Sequence, residues 1–193
     1  MSTYSGAQAQ ADVRLREDQL RLGLWMFLAT VTMLFAAFTS AYIVRRSGSD
    51  WRQVALPSIL WINTALLGAS SIAVEFANHD GYRRRWARAA VGLGIGLGLG
   101  VAFLWGQALA WQELMRAGVY LPSNPHSSFF FVMTGAHGVH IVAALAVLGS
   151  GLVALRWARE DPVGWLARME LCRTFWHYLG VVWLALFALM SLY

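Results

Sequence analysis

The feature that most limits what this chain can fold into is a set of five apolar runs separated by short polar segments. They cover Leu22–Val44, Leu56–Ala77, Ala89–Trp111, Phe129–Leu155 and Cys172–Leu192. A helix rises about 1.5 Å per residue, so about 20 apolar residues cross the ~30 Å of bilayer hydrocarbon. Each run meets that length. None shows the alternation of a barrel strand, and only helices and closed barrels satisfy their backbone polar groups inside lipid. The sequence therefore predicts an all-α, polytopic membrane bundle of five transmembrane helices. Residues 1–21 form a polar N-terminal arm and residues 22–193 the membrane domain. Composition agrees, with 58% hydrophobic and only 13% charged residues, against about 25% charged in a soluble domain.

The net charge of +5 and pI near 10.0 do not point to nucleic acid, because the basic residues sit in clusters between apolar runs. All 15 are arginine. The arm carries Arg14, Arg16 and Arg21. The second connection carries Arg83, Arg84, Arg85 and Arg88, and the fourth Arg156, Arg159, Arg168 and Arg173. Five crossings put these eleven on one side, against Arg45, Arg46, Arg52 and Arg116 on the other. The positive-inside rule then predicts a cytoplasmic N-terminus and a C-terminal Tyr193 outside. The polar start predicts no cleavable signal peptide. The one cysteine, Cys172, makes no internal disulfide and lacks a second cysteine for a common metal motif.

Within the third run, Gly92, Gly96 and Gly100 fall on one helix face, and Gly94 and Gly98 on another. Such small-xxx-small spacing lets helices approach closely. It is not a dinucleotide fingerprint, since no G-x-G-x-x-G or βαβ pattern is present. The segment Gln112–Ser128, turn-rich through Pro122, Asn124 and Pro125, is expected to fold onto the helix ends. Asn63, Thr64, Ser70 and Ser71 suit interhelical hydrogen bonds. Glu75 and Glu113 lie near span ends, where pairing with loop arginines is expected. No span carries a central carboxylate, which argues against proton pumping by this chain alone.

His137 and His140 share a helix face at i, i+3. With His177 they could make a three-histidine metal site, and bis-histidine haem ligation is also conceivable. Against both, no accompanying metal motif occurs, and only the fourth and fifth spans contain histidine. Hydrogen bonding between helices or to lipid headgroups is the expected role. No Ser-His-Asp or Cys-His set is placed for nucleophilic catalysis.

Four stretches carry a family resemblance. The fourth span contains Thr134-Gly135-Ala136-His137-Gly138-Val139-His140, preceded by Ser127-Ser128-Phe129-Phe130. The fifth reads Phe175-Trp176-His177-Tyr178 followed by Val182-Trp183-Leu184. The second combines Leu56-Pro57 with Asn63-Thr64, Leu67 and Ser70-Ser71, and the first reads Gly23-Leu24-Trp25-Met26-Phe27. Together and in this order they resemble the signatures of the cytochrome c oxidase subunit III family, in its short five-helix bacterial form. The resemblance runs from about Arg21 to Tyr193. Two positions depart from it: Val31 stands where the family usually has a buried Glu, and Gly180 where it usually has Asp. Neither position here can carry a carboxylate-dependent, proton-linked role.

By analogy, the resemblance implies a cofactor-free accessory subunit of a haem-copper terminal oxidase in a bacterial cytoplasmic membrane. Haem and copper would sit in partner subunits. Oxidase subunit I would be the main contact, and phospholipid would be bound. His137, His140, Trp176 and His177 are the residues implied at the lipid or subunit interface, and Asn63, Thr64 and Glu75 are expected there as well. Two other readings stand beside this one. A matching subunit of a quinol oxidase or nitric oxide reductase would carry the same features. A free-standing transporter would show broken helices and polar groups at the midplane.

Overall fold

The computed structural model describes residues 2–52 and 54–192. The side chains of residues 2–14, 16 and 17, including Arg14 and Arg16 of the arm, lie outside the described residues, as does Tyr193. The chain forms five helices, α1 (Ser2–Arg45), α2 (Ile59–Tyr82), α3 (Trp86–Arg116), α4 (Pro125–Ala154) and α5 (Pro162–Leu192). No strand occurs among the described residues. All five helices contain a stretch long and apolar enough to cross a membrane, which in α1 is Asp18–Arg45.

The helices outrun the apolar runs at several ends. The helix α1 continues unbroken into the arm, α3 reaches Arg116, and α5 begins at Pro162, well before Cys172. Hydropathy marks the part of a helix that lipid can hold, whereas backbone hydrogen bonding continues into the interface. Arg168 and Arg173, read from the sequence as loop residues, therefore lie on α5.

Contacts define the architecture. In the ring α2–α3–α4–α5 each helix touches the next, and α5 closes back onto α2. Outside this ring, α1 lies against α4 and α5 and meets neither α2 nor α3 among the described residues.

The closest seam joins α2 and α3. Only Arg83–Arg85 separate them. Arg84 takes a left-handed φ of 56°, a conformation that usually favours Gly. In return the Arg84 and Arg85 N–H groups donate to the carbonyls of Gly81 and Asp80, both at 2.9 Å. These bonds satisfy carbonyls left open at the end of α2. Beyond the turn the backbones touch. A Cβ at Gly92 would stand 2.9 Å from the Ala77 Cβ and 3.2 Å from the Ala73 carbonyl, and one at Gly96 2.9 Å from Val74. The Ser70 hydroxyl donates to the Gly96 carbonyl at 2.7 Å. By contrast, Gly94 and Gly98 face open space.

The helix α4 starts at a defined point. Asn124 caps it in a reciprocal pair with Ser127, and Pro125 opens its first turn, where proline's fixed φ suits the helix. The Ser127 and Ser128 hydroxyls reach back to the carbonyls of Tyr120 and Leu121, so the α3–α4 connection folds onto the helix start. The register of every α4 side chain follows from this anchor.

Candidate lipid and subunit contact site

The residues singled out by sequence distribute over three environments. His137, Trp176 and Asn63 are wholly enclosed, each 0% exposed. The His137 ring lies among Phe35 of α1, Phe103 of α3 and Trp183 of α5, with centroids 6.3, 5.9 and 5.3 Å away. Trp176 occupies the space that a side chain at Gly100 would take, its Cη2 only 2.7 Å from the Cβ position there. Asn63 does the same at Gly106, where a Cβ would collide with its Oδ1. Any effect of these three on a lipid or neighbouring subunit passes through the residues that cover them.

His140 belongs to the α1–α4 side. It is partly buried, and its Nδ1–H donates to the Ala136 carbonyl at 2.7 Å. Its ring lies beside Phe27 and Phe35. The i, i+3 spacing thus puts His137 and His140 on one broad face but into different surroundings, one interior and one along the α1 seam. Close by, the Tyr178 hydroxyl fastens α5 to α1 through Thr32 Oγ1 at 2.8 Å and the Leu28 carbonyl at 3.3 Å.

The third environment is the outer face between α2 and α5. Glu75 accepts from Arg173 Nη1 at 2.9 Å and from His177 Nε2 at 3.2 Å. Arg173 also donates to Glu170 at 2.8 Å. The Glu75 side chain is 52% exposed and that of His177 40%. A groove of about 260 Å³ runs from His177 past Ser71, Gly68 and Gly180 to Thr64 and Trp183. Thr64 is tied at its far end, accepting from Trp183 Nε1 at 3.0 Å and donating to the Leu60 carbonyl at 2.9 Å. An arginine does pair with Glu75, as expected, but from within α5.

The folded chain brings His177 and Thr64 to one groove, with Glu75 hydrogen-bonded to His177, and His137 and His140 do not line it. Among the described residues no three His, Cys, Asp or Glu side chains stand close enough to hold a metal ion. The two departures from the family pattern are also placed. Val31 is buried at 2% exposed, and Gly180 lines the α2–α5 groove with Ser71 Oγ 3.8 Å from its Cβ position.

Sequence reasoning passed over several polar residues. His126 is 1% exposed, enclosed by the rings of Tyr42 and Trp51. Gln107 is 3% exposed inside α3. An uncharged amide inside an apolar run was the available signal for Gln107. Outside the spans, Asp50 is held by Arg45, with Nη1 donating to Oδ1 at 2.8 Å. The guanidinium keeps the Asp50 carboxyl below its ordinary range.

Comparison with known proteins gives a consistent picture. The family model described as cytochrome c oxidase subunit III matches residues 1–193. A cytochrome c oxidase subunit 3 of Corynebacterium diphtheriae is 28% identical, over 89% of this chain and 87% of its own length. A cytochrome bo(3) ubiquinol oxidase subunit 3 of Pseudomonas aeruginosa is 29% identical, over 88% of this chain and 83% of its own. A cytochrome c oxidase subunit 3 of Thermostichus vulcanus is 28% identical, over 88% and 85%.

Proposed function

The chain belongs to the cytochrome c oxidase subunit III family, and from that premise we propose that it is the accessory, cofactor-free third subunit of a haem-copper terminal oxidase in a bacterial cytoplasmic membrane. The observation that carries this reading is the family match over the whole chain, on a fold with five helices able to span the membrane. The haem and copper reside in partner subunits, and oxidase subunit I is the main contact. The chain stabilises that catalytic subunit and binds phospholipid. Its arginine-rich end, with the α2–α3 and α4–α5 connections, faces the cytoplasm.

The contact residues divide by exposure. His177 and Thr64 meet lipid or a neighbouring subunit along the α2–α5 groove, Glu75 does so beside His177, and His140 does so beside α1. His137, Trp176 and Asn63 shape these surfaces from behind. The electron donor, cytochrome c or quinol, is set by other subunits, and relatives of both kinds exist.

A pull-down of the chain in mild detergent, with mass spectrometry and an optical spectrum, tests the proposal. Co-purification of a large haem-bearing membrane partner is the expected result. A chain that elutes alone and colourless, from membranes with an active oxidase, overturns it and favours a free-standing transporter.

A further inference from the structure

One level of the four-helix ring carries several polar side chains. It can be traced helix by helix. Asn63 of α2 lies against Gly106 of α3. Phe103, one turn along α3, meets His137 of α4. His137 meets Trp183 of α5 at 5.3 Å. Trp183 donates to Thr64, next to Asn63 on α2, and so closes the circuit. Gln107 follows Gly106 directly and is 3% exposed. Asn63, Gln107 and His137 therefore lie within about one helical turn of one another in depth, all inside the bundle.

The hydrogen-bonding capacity of this layer is unused by protein. Both side-chain atoms of Asn63, both of Gln107 and both ring nitrogens of His137 are buried without a protein partner. Two amides and an imidazole offer donors and acceptors together. Buried polar groups in folded proteins nearly always find partners. Lipid tails supply none, and the neighbouring Phe103 side chain has no polar atom. Thr64 and Trp183 already bond each other. Small molecules that both donate and accept, and that reach several such groups at once, satisfy layers of this kind.

We propose that the bundle binds ordered water in this layer, held among Asn63, Gln107 and His137. Gly106 is part of the site, because the missing side chain is what seats the Asn63 amide. The ligand class is water itself, and the layer acts as a polar clasp that fixes how α2, α3 and α4 register against one another.

Cryo-electron microscopy of the intact oxidase, at a resolution where water is visible, tests this directly. The expected result is density within about 3.2 Å of polar atoms from both amides, Asn63 and Gln107. Direct bonding among the three, or a dry layer, overturns the proposal. A second measurement covers the case of limited resolution. Asn63→Leu, Gln107→Leu and the double substitution are compared by thermal unfolding of the purified complex. A shared water predicts that the double variant loses clearly less than the summed shifts of the singles. Additive shifts overturn the proposal, since they mean that the two amides do not share a partner.

Discussion

The α2–α3 hairpin and the outer helix α1 solve the same problem in opposite ways. Both are apolar rods in lipid, and neither gains from hiding greasy surface, because lipid tails are as apolar as leucine. The hairpin is held by closeness. Glycines remove the side chains between its backbones, and a serine bonds across the gap. By contrast, α1 is held by a few large rings and one tyrosine. Phe27 and Phe35 reach α4 and α5, and Tyr178 reaches back. Much of α1 stays uncovered, with Trp25, Met26 and Met33 all more than 60% exposed. Close backbone packing gives a seam that tolerates no added atom. Packing through separate rings gives a joint that can be weakened locally.

The largest expected effect breaks the closed seam. In Gly92→Leu the new side chain has to displace Ala77 and the Ala73 carbonyl, which is backbone and cannot swing away. Overpacking of this kind costs about 3 kcal/mol. Thermal unfolding in detergent should show a marked drop in midpoint for the whole fold, and an unchanged midpoint would mean that the helices slide apart freely. Next comes Phe35→Ala, which empties the contact between α1 and His137. It should cost about 2 kcal/mol, below the usual cost for a core Phe because lipid replaces part of the lost contact. Hydrogen exchange should rise in α1 while α2 and α3 keep their protection. Equal loosening of all five helices would erase the distinction drawn above.

Two smaller changes sharpen it at the surface. Glu75→Gln leaves Arg173 with Glu170 as its remaining carboxylate and weakens the His177 bond. The loss should be about 0.5 kcal/mol, read as a small shift in unfolding midpoint that shrinks further in high salt. Asp50→Asn is the slightest, since the Arg45–Asp50 pair is solvent-exposed. The folded carboxyl titrates below its ordinary 3.8. The pair's contribution is therefore present above that value and disappears as pH falls through the lowered one. Wild type and variant should differ slightly at neutral pH and coincide in strong acid. A difference that persists in acid would assign the effect to something other than the carboxylate.

The fold was readable from sequence to the extent that lipid imposes it. Spans of Leu, Val and Ala had to be helices, and the Gly92–Gly96–Gly100 face had to be a contact. The ion pair between α2 and α5 was half readable, since a carboxylate like Glu75 near a span end calls for an arginine. What stayed hidden was which way each side chain turns. In water an apolar stripe marks the interior, but in lipid both the inside and the outside of a bundle are apolar. Val31 inside and Met33 outside thus look alike in sequence. For the same reason His137 and His140 looked equivalent, and Gln107 did not stand out. The helix ends were misjudged where polar residues such as Arg168 remain helical beyond the hydrocarbon.

The closing of α5 onto α2 has a consequence for how the chain is made. Thr64 and Glu75 emerge before their partners Trp183, Arg173 and His177, which all belong to α5. The glycine-seated hairpin can zip as soon as α3 follows α2. The ring cannot shut until translation has delivered α5. A ribosome stalled before α5 would leave an open crescent in the membrane, with a bare glutamate on its rim. The arrival of α5 is thus the step at which a closed ring becomes distinguishable from an open one.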